Sequence, residues 1–374
     1  MDRFSVAVVG GGVAALEGVL RLRKLAGDAV DITLVAPGDE YVVRALSVRE
    51  PFALGAADRH PLRPLLRDAG AEWVRDRLAW VDLDGQAVHT TDGRAVGYDA
   101  LLIAVGGQLA PAYEHATTYR DDRADELLRG TVEDVEEGYS KRIAFLAPDT
   151  PIWRLPLYEL ALMTANRAAE AGMTDVEVVL ATPEPAPLAA FGEAASAAVA
   201  ELLEDTGVTV HAGATIAVPE AGRVTIEPGG LDERFDRVIA LPRMTGPAIR
   251  GLPGAGAHGF LPVDGECALR DGGGRVFAAG DATDLDLKHG GLGAQQADTA
   301  AAAIARLAGV DDVAPAPLHP VVHGKLLTGR RPLYLRARLV GGGSFESEVS
   351  EQPLGTEDKV VAAELGAYLA AHRG

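Results

Sequence analysis

The 374-residue chain has 48% hydrophobic and 24% charged residues, which excludes general disorder and allows two substantial cores. Its formal charge of -19 and isoelectric point near 4.9 disfavour nucleic acid or an anionic lipid surface as partner, and the acidity reads as solubility. A single cysteine, Cys267, excludes an internal disulfide, a CxxC redox pair and a cysteine-rich metal site.

The first predicted strand covers residues 4–9 and a helix follows over 13–25. No charged and apolar leader precedes that strand, and no apolar run approaches the ~18 residues that span a bilayer. A cytoplasmic protein without a transmembrane segment is expected. The second strand, 31–35, stops at Pro37-Gly38. Shorter strands follow over 71–91, with turn signals at Asp84-Gly85 and Asp92-Gly93, and then a buried strand from Tyr98 that ends in Gly106-Gly107.

A second series begins near Lys141. Strands are predicted over 142–147, 175–181, 208–211 and 237–241, with helices over 157–171 and 193–205, the first ended by Gly172. From about Pro262 the chain returns to the first unit, whose helix 291–307 carries small residues suited to close packing. Alternating strands and helices predict an α/β fold with parallel sheets. Two Rossmann-like domains are expected, the second (111–259) inserted into the first (1–110 and 260–325). A short C-terminal segment, 326–374, has Gly341-Gly342-Gly343 as a hairpin-turn signal.

Two distant segments carry chemistry. Gly10-Gly11-Gly12-Val13-Ala14-Ala15 joins the first strand to the first helix, the arrangement that cradles a dinucleotide pyrophosphate. Gly10 permits the tight turn, Gly12 lets backbone approach the phosphates, and Ala15 lets the helix pack close to the strand. The helix start adds free N–H groups and partial positive charge. Far along the chain, Val276-Phe277-Ala278-Ala279 runs into Gly280-Asp281-Ala282-Thr283 and places a carboxylate where a polyol could be held. The glycine turn alone says little. Paired with the strand-Gly-Asp segment and its following helix it points to FAD, which is long enough to need both.

With these motifs, Leu102-Ile103-Ala104-Val105-Gly106, and Lys288-His289-Gly290-Gly291 leading to Gln295-Gln296, the chain resembles the pyridine nucleotide-disulfide oxidoreductase superfamily of FAD-dependent flavoproteins. Within it the pattern is similar to the sulfide:quinone reductase, flavocytochrome c sulfide dehydrogenase and type II NADH dehydrogenase group, over roughly residues 1–330. The resemblance implies cofactor contacts at Gly10, Gly11, Gly12, Ala14, Ala15, Ala36, Arg44, Leu78, Ala104, Val105, Gly106, Gly280, Asp281, Lys288, Gly291 and Leu292. It implies that Asp281 accepts a ribityl hydroxyl, although an Asp in isolation also suits a helix N-cap. It implies that the start of the 291–307 helix faces the flavin N1/O2 edge, where reduction develops negative charge. Lys288 either adds a full positive charge there or is a solvated lysine.

The chain departs from that pattern in three places. Ala36 stands where a carboxylate commonly holds the adenosine ribose, leaving Asp39 or Glu40 to substitute. In the inserted domain the three fingerprint glycines, counted back from Glu159, fall on Ile152, Arg154 and Leu157, so NAD(P)H binding in the usual mode is not expected. Trp153, Tyr158 and Glu159 then approach the flavin face or, for the aromatics, fill the domain core. Glu159 is the second candidate catalytic group beside Lys288, because a carboxylate at an apolar helix start needs a reason. Finally, the paired redox cysteines of sulfide:quinone reductases are missing, and Cys267 reads as structural.

No histidine spacing suggests a metal: His319 and His323 are four apart, but Pro317 and Pro320 disfavour a helix there. A tail helix over 358–372 is expected to pack on the protein itself or on a second copy in a homodimer, since its acidic residues disfavour anionic lipid. The expected activity is FAD-dependent oxidoreduction, from a small-molecule or protein electron donor to a quinone-like or protein acceptor. An NAD(P)H dehydrogenase and a non-catalytic flavin-binding protein are the alternatives.

Overall fold

The computed structural model describes residues 3–254, 258–315, 317–341 and 344–372. Two five-stranded parallel sheets form its frame, as the alternating pattern predicts. In the first, Val276–Ala278, Ala100–Ile103, Phe4–Val9, Val30–Val35 and Glu72–Val74 lie side by side in that order. In the second the order is Thr117–Thr118, Arg237–Ala240, Arg142–Leu146, Glu177–Ala181 and Val208–His211. The first sheet has its opening strand at the centre and later strands on both sides; in the second Arg142–Leu146 is central, with later strands on both sides and the earlier Thr117–Thr118 at one edge. That reversal of direction leaves a crevice at the carboxyl end of the central strand.

The strands are apolar because parallel sheets are covered on both faces. Val6, Ala7, Val8 and Val9 are all buried, as are Ile143, Ala144, Phe145 and Leu146. Against the first sheet pack the opening helix, Val13–Ala26, and the helix Gly290–Leu307. Small residues allow their close approach: a Cβ on Gly18 would lie 2.6 Å from the Leu102 side chain, and Ala300 to Ala305 are all buried. The second sheet is covered by Ala124–Glu136, Leu155–Glu170 and Glu193–Asp205.

Three three-stranded antiparallel sheets decorate the frame, Leu78–Asp82 with Ala87–Thr90 and Ala95–Gly97, Thr215–Glu220 with Arg223–Glu227 and Leu231–Arg234, and Val321–Leu326 with Leu333–Gly341 and Ser344–Ser350, beside the two-stranded pairs Glu40–Val42 with Arg59–Pro61 and Gln108–Ala110 with Arg243–Thr245. The last two strands pair across the glycine run, and the turn at Gly342-Gly343 lies outside the described residues. The tail helix is shorter than the expected 358–372 and runs Ala363–Ala371. Its start is fixed by Glu17, whose carboxylate accepts the Glu364 and Leu365 N–H groups at 2.8 and 2.7 Å.

Candidate functional site

The crevice of the first sheet is built from glycines in two distinct roles. Gly10 has φ +131°, and a Cβ there would sit 2.1 Å from the Ala104 carbonyl oxygen, so no side chain fits. Gly12 is different: a Cβ there would meet nothing within 4 Å, and this open space lies at the helix start. No side chain caps the Val13–Ala26 helix, leaving its first N–H groups for an anion. Across the crevice Gly106 has φ +76° and likewise faces open space, with Val105 exposed and Ala104 buried beside it.

Gly280 and Asp281 arrive from the strand Val276–Ala278. Gly280 packs close to Ala14 and Gly293, and its N–H donates to Gln296 Oε1 at 2.8 Å. Gln296 also donates to Thr283 Oγ1 at 3.0 Å, and Thr283 donates to the Gly280 carbonyl at 2.9 Å. This closed set of bonds pins the turn. The Asp281 carboxylate takes part in none of it and accepts no hydrogen bond among the described residues. Burial pushes its carboxyl above the usual range, Lys288 pulls it back, and Asp121 pushes it further up. The N-cap alternative is thereby disfavoured, since no backbone N–H binds this side chain.

Lys288 is not a solvated lysine. It is buried, donates to the Thr283 carbonyl at 2.5 Å and stands 3.5 Å over the Phe260 ring. Burial lowers its ammonium to about 8, against the opposing pull of Asp281, Asp284 and Asp286. His289 Nδ1 accepts the Leu292 N–H at 3.2 Å and its other nitrogen faces the His323 carbonyl, which fixes a neutral ring. Burial holds that imidazole down at about 4. The Leu292 N–H, assigned to the cofactor from sequence, is thus already bonded, and Gly291 lies against the His289 ring and the Val361 carbonyl.

At the adenosine end, Ala36 is buried and its carbonyl accepts Trp73 Nε1–H at 3.1 Å. Asp39 and Glu40, the substitutes for a ribose carboxylate, are exposed and paired with Arg75 at 2.9 Å and Arg59 at 3.3 Å. Leu78 is half-buried at the start of its strand. Arg44 pairs at 3.5 Å with Asp121, a residue of the second unit that the sequence did not single out. No motif marks Asp121; only folding brings it into the field of Asp281.

Glu159, the second candidate catalytic group, is found in an ion pair. It is fully buried and both oxygens hold Lys359 Nζ, at 2.6 and 2.7 Å, while Oε1 also accepts the Leu327 N–H at 2.8 Å. Burial pushes Glu159 up and Lys359 down, each partner opposing the other's shift. Lys359 gives this carboxylate a structural occupation at an otherwise apolar helix start. Its counterpart is Glu17: each glutamate is the fifth residue of the helix that follows its unit's central strand, and each is fully buried.

The crevice of the second sheet is filled. Tyr158 is fully buried, its hydroxyl donates to Glu184 at 2.9 Å and accepts the Leu188 N–H at 3.3 Å, and Thr182 joins Glu184 at 3.1 Å. Arg154 turns back onto its own loop and donates to the carbonyls of Pro148 and Thr150 at 3.2 and 3.1 Å. Trp153 stands 4.6 Å from the His289 ring and 5.6 Å from Phe191, so it bridges the two units while packing on the second core. Cys267 is buried with φ +61°, and burial raises its thiol to about 12. Among the described residues no helix is long and apolar enough to cross a membrane, and no cluster of His, Cys, Asp or Glu could hold a metal ion.

No family model matches the chain. It is 28% identical over 215 residues to a sulfide-quinone reductase of Aquifex aeolicus, covering 54% of this chain and 47% of that protein. It is 27% identical over 239 residues to an NADH dehydrogenase-like protein of Mycobacterium tuberculosis, covering 60% and 59% respectively. The match thus spans about half the length of these curated relatives. Among solved structures, the sulfide:quinone oxidoreductase of Aquifex aeolicus superposes with a TM-score of 0.80 at 20% identity, over 93% of this chain and 87% of that one, which shows a shared fold.

Proposed function

We propose that this chain, similar to FAD-dependent proteins of the pyridine nucleotide-disulfide oxidoreductase superfamily, carries out oxidoreduction in which FAD fills the first crevice and no dinucleotide uses the second. One observation carries this reading: the two equivalent crevices are unlike, the first lined by open glycines and an unbonded carboxylate, the second plugged by Tyr158 and Arg154. When bound, FAD supplies a two-electron store between an electron donor and a quinone-like or protein acceptor.

The chain's own residues supply binding and charge. The uncapped start of the Val13–Ala26 helix and the bare Gly12 receive the diphosphate. Asp281 accepts a hydroxyl of the ribityl chain, which would satisfy an otherwise unbonded, half-buried carboxylate. Lys288, largely protonated at neutral pH with its ammonium near 8, adds a full positive charge beside the start of the Gly290–Leu307 helix. His289 stays neutral and holds that helix start in place. Without a cysteine pair the sulfur-trapping route of sulfide oxidation has no residues here.

Anaerobic addition of NADH, NADPH, sulfide and quinols to the purified yellow protein, followed by absorbance, tests the proposal. FAD should be present and should not bleach rapidly with either nicotinamide. A colourless protein that cannot be loaded with FAD would overturn the reading, and fast bleaching by NADH would select the NADH dehydrogenase alternative.

A further inference from the structure

Residues 357–372 form a strap across both units. Lys325 Nζ holds the Glu357 carbonyl at 2.8 Å, and Lys359 is locked to Glu159. The next residues lie on the first turn of the Gly290–Leu307 helix: a Cβ on Gly290 would come within 3.2 Å of Val360, and one on Gly291 within 3.2 Å of the Val361 carbonyl. The strap then docks on the opening helix, with the Glu364 and Leu365 N–H groups on Glu17. The two equivalent helix glutamates, Glu17 and Glu159, are thus both anchors of one C-terminal segment.

At the Glu17 anchor three carboxylates meet two cations. Glu17 is fully buried with both oxygens on neutral N–H groups. Glu364 takes Arg21 at 2.9 Å and Lys24 at 2.7 Å. Asp298, on the Gly290–Leu307 helix, is left with Arg21 Nε at 3.8 Å, and its buried Oδ1 accepts no hydrogen bond among the described residues. Tyr41 and Asp358 are the other titratable groups in this field. With all three carboxylates ionised, the partly buried cluster carries an excess negative charge beside the strap it must hold.

We propose that the strap is a pH-released latch, docked while one proton is kept on Asp298 beside Glu17 and loosened when that proton leaves. Burial and the Glu17 carboxylate push the Asp298 carboxyl from 3.8 up to about 7, against the opposing pull of Arg21. Docking adds burial and the Glu364 carboxylate to Asp298, so this acid binds a proton more readily docked than released. The latch is therefore tightest in acid, weakens as pH rises towards about 7, and changes no further above that. Release uncovers the start of the Gly290–Leu307 helix.

Hydrogen exchange of the full-length protein tests this, read at peptides covering 357–372 and normalised to intrinsic exchange at each pH. Protection should fall by up to roughly tenfold between about pH 6 and about pH 8, the most that loss of one proton with a docked pKa near 7 can give over that range. Asp298→Asn should flatten that dependence. Should that variant fail to fold, Glu364→Gln frees Arg21 for Asp298 and should move the midpoint below 7. Wild-type protection that ignores pH or rises with it, or Asp298→Asn with an unchanged slope, would overturn the latch. The amides report the strap whether or not flavin is bound, so this outcome is separate from that of the cofactor test.

Discussion

In the first unit the Gly10 N–H donates to Val35 O at 3.0 Å; in the second the Ala147 N–H donates to Ala181 O at 2.9 Å. The neighbouring bonds also correspond, Ala104 N–H to Val9 O at 2.8 Å and Leu241 N–H to Leu146 O at 3.0 Å. The backbone frame is therefore repeated almost bond for bond. What differs is the chain that leaves it. Gly10 to Gly12 enters its helix directly with no side chains, whereas residues 148–154 form a longer loop that Arg154 ties to itself. The same sheet frame thus carries two different loops, and on the proposed function the choice between an open and a closed dinucleotide crevice rests on a few residues after the central strand.

The comparison is broken most severely at its first bond. Gly10→Ala places a Cβ on the Ala104 carbonyl at a positive φ, and should cost about 4 kcal/mol or more, enough to lose soluble folded protein. The reverse exchange, Ala147→Gly, removes only a small buried methyl and should cost about 1 kcal/mol. Thermal melts of the two variants measure the asymmetry, and equal losses would deny that the first turn is specialised.

Next in size is the pair of helix glutamates. Glu159→Gln leaves Lys359 buried without its counter-charge and should cost about 3 kcal/mol in denaturant unfolding. Glu17→Gln keeps an acceptor for a neutral N–H and should cost about 1 kcal/mol. Replacing the pair together, Glu159→Leu with Lys359→Met, should recover most of the loss, as buried ion pairs exchanged for apolar groups often do. Loss of turnover in a stable double variant would restore the proton-relay role that the ion pair argues against.

These glutamates also show how far the sequence could be read. The strand-glycine-helix segments at 10–15 and 280–283, both sheets and the missing second fingerprint were legible because each depends on local pattern and spacing. Glu159 stood out as anomalous for the same reason, but its partner lies 200 residues away and no spacing connects them. Asp121, the strap and the Leu292–His289 cap were likewise invisible, since each is made by tertiary proximity. The strands Thr215–Glu220, Arg223–Glu227 and Leu231–Arg234 are marked in the sequence only by their turns, at Gly222 and Pro228-Gly229-Gly230. The tail helix is shorter than its sequence pattern because its start is set by a side chain on another helix.

A smaller effect, confined to the cofactor, is expected at the late aspartate. Asp281→Ala should weaken FAD binding roughly 10- to 100-fold, the range for one hydrogen bond to a charged acceptor, while leaving the melting temperature of the apoprotein unchanged or higher. Removal of an unbonded, half-buried carboxylate accounts for that second sign. Flavin-to-protein ratios after gel filtration measure it, and full occupancy in the variant would remove Asp281 from the site.

The smallest effect concerns the thiol, which separates this chain's chemistry from a cysteine-based one. Cys267 sits behind the first sheet at 1% exposure, in the core shared with Phe277 and Ala279, with its thiol raised to about 12 by burial. At neutral pH the thiolate fraction is then on the order of 10⁻⁵, too low for nucleophilic attack or exchange. Cys267→Ser should leave FAD affinity and any turnover unchanged and cost about 1 kcal/mol for the buried hydroxyl. In the native protein the thiol should resist an aromatic disulfide reagent until denaturant opens the fold. Rapid labelling without unfolding would mean that this core opens on its own, and a thiol step would return to consideration.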